Sequence, residues 1–485
     1  MRILMLGWEF PPFIAGGLGT ACHGLTKALS RAGQDVLFVL PDPIHDDSAA
    51  SHVRLLTPAS IAERPPSDRA TLEEPATVID RLIRTSADPL AATPTAPPGL
   101  APDEVPSDAP IGATPTTFKR IPADFQSPYP DFAGAADPKR FAALQRLLTE
   151  ADQYADVDEH QTKVLEAFES MGIAVGPPSG DYGGDMVTKA HRYAHLALAL
   201  AARERFDVIH AHDWMTYPAA IALKHATRKP MVAHIHSTEF DRSGENVNQP
   251  LYDTERAGLH AADAVVAVSQ LTKNICVSRY GVHPDRIAVV YNGVEDSYQP
   301  RPGDKIEARD KIILFLGRIT MQKGPEYFVA AAKRVLEKVP EAKFVVAGSG
   351  DMALRMIDLA AEMGIGHRLL FTGFLRGNDV QRIFKMADCY VMPSVSEPFG
   401  IAALEALAHD VPVIISKTSG VAEVLTHALK VDFWDTDEMA NKIVAVLKYP
   451  PLRATLREHA PLELRGLTWD GAAARCVQIY QRLSD

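Results

Sequence analysis

Short apolar runs alternate with helical patterns along two long stretches of the chain. The first stretch opens with a predicted strand at 2–7 (RILMLG), a glycine loop and a helix that ends at Gly33, and a second strand follows at 36–41. The alternation resumes near Lys189 and continues to a strand that ends in YNG at 291–293. Strands joined by crossover helices lie parallel, so this stretch predicts a parallel sheet with helices on both faces.

The pattern begins again after a polar link and indicates a second unit of the same kind. It opens with a strand in KIILFLGR at 311–318 and extends to a helix predicted at 420–427. At about 150 residues per domain, the length of 485 residues suggests two or three units. We predict an α/β protein with two doubly wound, parallel-sheet, Rossmann-like domains, at 1–297 and 298–467. The ligand is expected in the cleft between them, with a hinge at 297–310.

A segment at 43–137 lacks the periodicity of either unit. Half of the chain's 36 prolines fall between Pro41 and Pro138, among repeated Ala, Asp, Ser and Thr. Long segments of this composition are surface excursions or disordered, so we predict an insertion into the first domain with little regular structure besides a strand at 53–58. The last residues, 468–485, are predicted to form a terminal helix.

Composition and charge disfavour several classes of protein. A hydrophobic fraction of 46% with 23% charged residues is typical of globular proteins, and no apolar run reaches the roughly 18 residues that span a bilayer. The N-terminal apolar run is short for a signal peptide, which favours the cytoplasm. A net charge of −11 opposes nucleic-acid binding, and four cysteines without a CxxC pair signal neither a disulfide framework nor a zinc site. The expected partner is a small molecule or a neutral polymer.

Two loops at strand ends carry candidate phosphate-binding groups. GGLG at 16–19 opens the first helix, where backbone N–H groups favour an anion, and the alternative is a tight turn without a ligand. Its spacing differs from the GxGxxG of dinucleotide folds, which disfavours a nicotinamide enzyme. Arg318 and Lys323 follow the first strand of the second domain and are spaced to clamp a diphosphate, unless they are solvated surface cations.

The segment EPFGIAALE at 397–405 places two carboxylates beside the start of a helix. Glu397 projects from the loop after a strand, and Glu405 lies just over one turn inside the helix that begins at Gly400. Both carboxylates then face one cleft, where they can accept sugar hydroxyls, and the N–H groups of Gly400 and Ile401 stay free for a phosphate. The alternative is a pair of surface glutamates.

A polar loop at 236–250 also points into the predicted cleft. It follows a strand, and its charged side chains either grip acceptor hydroxyls or only solvate the loop, with the first interpretation favoured. The tentative acceptor residues are Glu239, Asp241 and Arg242.

Two histidine pairs, HAH at 210–212 and HIH at 234–236, need a separate interpretation. An HxH pair on a strand places both imidazoles on one face, as in metal-dependent hydrolases. A hydrolase would leave the glycine loop, the second domain and the two glutamates without a purpose. We therefore predict no metal site, and we expect one histidine of each pair to pack between strand and helix.

Five motifs together resemble a known family. EPFGIAALE matches the E-x7-E motif of retaining GT-B glycosyltransferases, and with GGLG, HAHDW, YNGV and GRITMQKG the chain resembles the glycogen/starch synthase and family 4 glycosyltransferase group. The resemblance covers 1–40 and 189–485, nearly everything except the proline-rich insertion. It implies the GT-B fold, with two Rossmann-like domains facing a cleft and the terminal helix packed back on the first domain.

The same resemblance implies an activity. Such enzymes move a hexosyl unit, here glucosyl, from a nucleoside diphosphate sugar to a carbohydrate with retention of configuration and without a metal or other cofactor. The implied substrates are UDP- or ADP-glucose and an α-glucan. The alternatives are a small or lipid-linked acceptor within the class and, outside it, a metal-dependent hydrolase or a non-catalytic glycan-binding protein.

The resemblance also assigns residues to the donor phosphates. It implies that Gly17 and Gly19 approach the diphosphate through their backbone. It further implies that Arg318 and Lys323 neutralise the diphosphate as it leaves.

The remaining implied roles concern the sugar and the nucleoside. Glu397 is expected to bind hydroxyls of the donor sugar, Glu405 the ribose, and His212 the sugar near the reacting carbon. The base is expected to be held by backbone groups around 373–376. Glycogen and starch synthases carry a lysine in K-x-G-G-L where this chain has Ile14. That departure weakens an assignment as an ADP-glucose-dependent glucan synthase more than an assignment as a glycosyltransferase.

Overall fold

The computed structural model describes most of both predicted domains. The described residues are 1–11, 16–41, 52–57, 186–201, 204–294 and 310–484. The predicted insertion at 43–137, except for 52–57, and the predicted hinge at 297–310, except for Asp310, lie outside them.

The first domain is built on a seven-stranded sheet in the order β3-β2-β1-β4-β5-β6-β7. Its strands are β1 (Arg2–Leu6), β2 (Asp35–Val39), β3 (Arg54–Leu56), β4 (Val208–His212), β5 (Met231–Ile235), β6 (Ala264–Ala267) and β7 (Ile287–Val289). Its helices are α1 (Gly17–Arg31), α2 (Met186–Ala201), α3 (Tyr217–Thr227), α4 (Glu239–Ser243), α5 (Gln249–Ala261) and α6 (Gln270–Tyr280). Every strand pairing is parallel, and the apolar residues of β1 are fully buried because helices cover both faces of the sheet.

The second domain repeats the design with six strands in the order β10-β9-β8-β11-β12-β13. Its strands are β8 (Lys311–Leu316), β9 (Ala342–Ala347), β10 (Leu369–Gly373), β11 (Cys389–Met392), β12 (Val413–Ser416) and β13 (Leu429–Val431). Its helices are α7 (Pro325–Lys338), α8 (Ala353–Glu362), α9 (Asn378–Met386), α10 (Ile401–Ala408), α11 (Thr436–Lys448) and α12 (Pro450–Leu464). The two parallel, doubly wound sheets confirm the predicted fold class.

Each sheet reverses its strand order beside its first strand. In the first domain β1 lies between β2 and β4, and in the second β8 lies between β9 and β11. Ligands of doubly wound folds bind at the carboxyl ends of the strands at such a reversal. The loops that follow β1, β4, β8 and β11 are therefore expected to reach the site.

Two local predictions were wrong. The helix expected at 420–427 is only a 3-10 turn at Gly420–Glu423, because the N–H groups of Thr426 and His427 bond to the Glu463 carboxylate instead of continuing a helix. The segment at 236–250, expected to be a loop, contains α4. A capping box starts this helix, because Thr238 and Asp241 satisfy each other's backbone N–H groups.

The terminal helix α13 (Trp469–Ser484) packs against α1 of the first domain. Its buried face includes Trp469, Cys476 and Tyr480, which share a core cluster with residues of β1 and α1. The Tyr480 hydroxyl lies 2.6 Å from Nδ1 of His210 beneath the sheet. The end of the chain thus completes the core of the domain with which the chain begins.

Two segments cross between the domains side by side. The Val294 N–H donates to the Leu467 carbonyl at 3.0 Å. Gly293 packs so closely on this second segment that an added Cβ would lie 2.3 Å from the Thr468 carbonyl carbon. No described helix combines the length and apolar content that crossing a bilayer requires.

The α1–α13 contact generates a stability prediction. A Cβ added at Gly24 would lie 2.3 Å from the Trp469 ring, so Gly24→Ala should lower the free energy of unfolding by about 1–3 kcal/mol through overpacking. Gly471→Ala is the matched control within α13, because a Cβ there meets only the Thr468 hydroxyl at 3.4 Å. It should be neutral or stabilise by up to about 1 kcal/mol. Equal effects of both changes in denaturant unfolding would contradict the close contact.

Candidate active site

A cavity of about 960 Å³ lies between the two domains at the carboxyl ends of their strands. Its walls come from both domains, and its size is in the range of small-molecule and cofactor sites. Most of the predicted site residues line it. Those on its wall are Gly17, Arg242, Arg318, Lys323, Glu397, Gly400, Ile401 and Glu405.

The first domain contributes the N-terminus of α1. Gly16 and Gly17 line the cavity, and the N-cap Gly16 has no side chain to bond the first-turn N–H groups. Those groups are the natural ligands of an anion at a helix start. Gly19, predicted to approach the diphosphate, is buried within the first turn of α1 and is not among the residues that line the cavity.

The second domain contributes the N-terminus of α10. Gly400 precedes the helix with a φ of +115°, a conformation that favours glycine, and an added Cβ would also lie 2.9 Å from Cε of Met392. Gly400 and Ile401 both line the cavity. Two helix N-termini from opposite domains therefore face one space.

Lys323 and Glu397 meet at the cavity although they lie on different loops. The Lys323 ammonium donates to the Glu397 carboxylate at 2.6 Å, and the Ser394 hydroxyl donates to the same oxygen at 3.2 Å. Arg318 lines the wall nearby, with Nη2 3.3 Å from the Gln322 amide oxygen. Cations and a carboxylate thus stand together where a charged group and a hydroxyl-bearing group can bind side by side.

Glu405 is a carboxyl group with unusual properties. It lines the cavity from the second turn of α10, and no described residue forms a hydrogen bond or ion pair with its carboxylate. Burial raises the pKa of Glu405 to about 7. Without a protein partner, this carboxylate is available to accept hydroxyl hydrogens from a ligand when it is ionised.

The structure does not bring His212 to the cavity wall. The His212 ring is fully buried, and its Nδ1 lies 2.9 Å from Nε2 of His236, which is the histidine that lines the cavity. Burial lowers the pKa of His236 to about 3, so its imidazole is neutral near pH 7. The expected contact of His212 with the donor sugar stays a prediction. In the structure the His212 ring instead contacts and supports the ring of His236.

Three buried imidazoles form the one group within the described ranges that has metal-ligand spacing. The atoms concerned, on His210, His212 and His234, lie within 4.8 Å of one another. None of the three lines the cavity, so a metal held there would not meet a substrate in the cavity. Their arrangement gives no support to the hydrolase alternative.

The three tentative acceptor residues separate into two groups. Arg242 lines the cavity, whereas the Glu239 and Asp241 side chains are buried and already bonded. The Glu239 carboxylate accepts hydrogen bonds from Arg242 at 3.0 Å and from Ser243 at 2.6 Å. In this conformation Glu239 and Asp241 do not present their carboxylates to the cavity.

Asp241 instead joins the two domains. Its carboxylate accepts a hydrogen bond at 2.6 Å from the hydroxyl of Ser396, the residue before Glu397. A second contact across the cleft joins Glu423 to the start of α6, where its carboxylate accepts the N–H groups of Gln270 at 2.9 Å and Leu271 at 2.6 Å. These contacts hold the Glu397 loop and the Gly420–Glu423 turn against the first domain.

The sequence analysis did not single out Asp213. For the part of the site that binds the nucleoside base, it predicted only a range of backbone groups. Asp213 lines the cavity with a φ of 60°, rare for any residue other than glycine. Its neighbours in HAHDW were singled out, but no pattern reveals backbone strain. Phe374, Leu375 and Arg376 line the cavity where backbone contacts to the base were predicted.

Comparisons with known proteins agree with the fold. Sequence models of three families match different parts of the chain: the starch synthase catalytic domain at 2–72, glycosyltransferase family 4 at 162–298 and glycosyl transferases group 1 at 300–462.

Two relatives extend the sequence match. An uncharacterised glycosyltransferase of Methanocaldococcus jannaschii is 34% identical over 308 residues, which cover 59% of this chain and 77% of the relative. A glycogen synthase of Mycobacterium tuberculosis is 24% identical over 99% of this chain and 94% of its own length. Among solved structures, sucrose-phosphate synthase of Thermosynechococcus elongatus superposes with a TM-score of 0.63 at 20% identity, covering 100% of this chain and 99% of that one.

The two facing parallel-sheet domains with the cavity between them have the GT-B fold, and the sequence matches show that the chain is a glycosyltransferase. Within that class the chain belongs to the group of glycogen synthases and family 4 glycosyltransferases, as the resemblance implied.

The raised pKa of Glu405 generates a pH prediction. If its carboxylate accepts ribose hydroxyls, binding requires the ionised form, and lowering the pH from 8 to 6 should weaken binding of a nucleoside diphosphate sugar by about tenfold. Isothermal titration calorimetry at both pH values measures the change. Glu405→Gln removes the titration, so its affinity should change less than that of the wild type. An equal pH dependence in both proteins would assign it to another group, such as Asp213.

Proposed function

We propose that this glycosyltransferase moves a glucosyl unit from a nucleoside diphosphate sugar to a carbohydrate acceptor with retention of configuration. The observation that carries the proposal is the convergence of two helix N-termini, two cations and two carboxylates on one cavity. Helix N-termini and cations suit a diphosphate, and carboxylates suit the hydroxyls of a sugar and a ribose. The donor then spans the cavity with its phosphates between the two domains.

The proposed chemistry needs no metal ion. The bond between the anomeric carbon and the diphosphate oxygen breaks, and Arg318, Lys323 and the helix N-termini stabilise the charge that develops on the leaving phosphate. The acceptor oxygen forms its bond on the same face of the sugar, and its proton passes to the departing phosphate. Glu397 orients the sugar hydroxyls, and domain closure orients the acceptor.

The first candidate for the acceptor is an α-glucan. It is supported by the similarity to a glycogen synthase over nearly the whole chain. UDP-glucose and ADP-glucose are the first donor candidates, and a structurally similar Anabaena protein, HepE, has been solved with UDP and glucose at a TM-score of 0.58 and 16% identity.

A small acceptor is the second candidate. D-inositol 3-phosphate glycosyltransferase of Stackebrandtia nassauensis is 28% identical over 340 residues, 64% of this chain and 76% of the relative. Because this match covers a smaller share of the chain than the match to the glycogen synthase, it supports a polyol acceptor less strongly than that match supports a glucan.

Nucleotide release from a donor panel tests the proposal. UDP-glucose, ADP-glucose, GDP-mannose and UDP-N-acetylglucosamine are each incubated with the protein, with and without a chelator and with and without glycogen. We expect release from one glucosyl donor, accelerated by glycogen, and NMR of the product should show the α configuration. Release that stops with chelator, or a β-linked product, would overturn the proposed mechanism, and release without acceleration would favour the small acceptor.

Substitutions at the paired cation and carboxylate test the site. Lys323→Ala and Glu397→Ala should each lower turnover by at least about a hundredfold, because each removes a charged group at the reacting end of the donor. Lys417→Ala is the control in the same domain, since its ammonium pairs with Asp432 at 2.7 Å and its side chain is 56% exposed. It should keep turnover within about twofold of the wild type. Near wild-type turnover of either site variant would exclude the assigned roles.

A further inference from the structure

Glu423 belongs to the second domain, but its carboxylate caps a helix of the first domain. Its two oxygens accept the N–H groups of Gln270 at 2.9 Å and Leu271 at 2.6 Å, the first two residues of α6. The N-cap Ser269 accepts the N–H group of Thr272, the third residue of the helix, at 2.9 Å. The first turn of α6 is therefore satisfied jointly by both domains.

The turn that carries Glu423 is bonded to the loop that carries Glu397. The Gly420 N–H donates to the Glu397 carbonyl at 2.9 Å. The Glu397 N–H in turn donates to the Thr418 carbonyl at 3.1 Å. Both backbone groups of Glu397 are thus held by the segment that leads into the turn, so a movement of this turn must move Glu397.

Gly420 leaves no space between the turn, the Glu397 loop and α6. A Cβ added at Gly420 would lie 2.2 Å from the Pro398 carbonyl oxygen and 2.5 Å from Cβ of Ser269. The Thr272 hydroxyl, in the first turn of α6, lies 3.5 Å from the same carbonyl oxygen. The start of α6 therefore contacts both the turn and the loop, and a change in its position is passed to both.

Glu423 does not line the cavity, so its effect on the reaction has to pass through Glu397. The Glu397 carboxylate accepts the Lys323 ammonium at 2.6 Å, and a functional group of this kind has to be held to within about 0.5 Å. The loop keeps a second attachment to the first domain, because the Ser396 hydroxyl donates to Asp241 at 2.6 Å. Loss of the Glu423 carboxylate should therefore displace Glu397 without releasing the loop.

We propose that Glu423 is a positioning residue for the transfer reaction. By capping α6 across the cleft, it fixes the turn and the loop so that Glu397 meets both Lys323 and the donor sugar. This inference rests on the proposed function, because that function assigns Glu397 to the donor sugar. It extends the function by adding a residue outside the cavity and by making the first domain responsible for the geometry of a donor-binding group on the second.

A purely structural cap is the rival explanation, and the chain offers a matched control in Glu463. The Glu463 carboxylate also accepts two backbone N–H groups, of Thr426 at 2.9 Å and His427 at 2.7 Å. All three residues belong to the second domain, and none of them lines the cavity. Glu463→Ala and Glu423→Ala should each lower the midpoint of thermal unfolding by about 2–4 °C, the effect of losing one cap.

The first measurement is hydrogen–deuterium exchange, which needs neither donor nor acceptor. In Glu423→Ala the amides at 270–271 should exchange about tenfold faster, because they lose their acceptor. The proposal also requires faster exchange in peptides that cover 397–402 and 418–422. Glu463→Ala should leave these peptides at the wild-type rate and change only those around 426–427. Wild-type exchange of the 397–402 peptides in Glu423→Ala would overturn the proposal, whatever the protein transfers.

The second measurement is steady-state kinetics with the donor that the panel identifies. Glu423→Ala should lower kcat by about tenfold or more, because Glu397 is displaced. The donor KM should change by less than about threefold, since the groups assigned to the nucleotide and diphosphate stay in place. Glu463→Ala should keep both constants within about twofold of the wild type.

A conservative variant and the remaining outcomes complete the test. Glu423→Gln keeps one oxygen as an acceptor and should recover part of the lost kcat. A wild-type kcat in Glu423→Ala, or an equal loss in Glu463→Ala, would exclude the positioning role. If the wild type itself releases nucleotide from no donor, the proposed function fails, and the exchange experiment still decides whether Glu423 holds the Glu397 loop.

Discussion

Every pairing between described strands in this protein is parallel, and this constraint decides where its chemistry lies. Parallel strands end at the same edge of a sheet, so the loops that follow β1, β4, β5, β8 and β11 gather at two edges that face each other. Helices that cover both faces of each sheet bury the strands and leave only those edges accessible. The glycine loop, Asp213, Lys323 and Glu397 meet in one cavity because each follows the end of a parallel strand.

The extent to which sequence predicted the site depends on how local each feature is. Glu405 and the start of α10 were predicted from the spacing of EPFGIAALE, because nine residues specify a loop and a helical turn. The contact between Lys323 and Glu397 joins residues 74 positions apart and was not predicted, although each residue was. Asp241 was expected to bind the acceptor from its polar loop. Its carboxylate instead accepts a hydrogen bond from the hydroxyl of Ser396, 155 positions away.

The histidines illustrate the same limit inside the fold. Strand periodicity placed His210 and His212 on one face of β4 correctly. It also paired His234 of β5 with His236, which directly follows that strand and stacks on His234. Which of the four reaches the cavity depends on how far each strand extends beyond its neighbours and on the position of α13, whose Tyr480 contacts His210. The turn at Gly420–Glu423 was mistaken for a longer helix for a related reason, since the N–H groups of Thr426 and His427 bond to the distant Glu463 carboxylate.

The paired crossing at Gly293 and Thr468 has a mechanical consequence. Two segments connect the domains, and independent tethers of that kind would permit sliding as well as rotation. Here the Val294 N–H bonds to the Leu467 carbonyl, and the close packing of Gly293 leaves no space between the two backbones. The two segments are therefore bound to each other at this point, and any movement of the domains that separated them would have to break this hydrogen bond and open this contact.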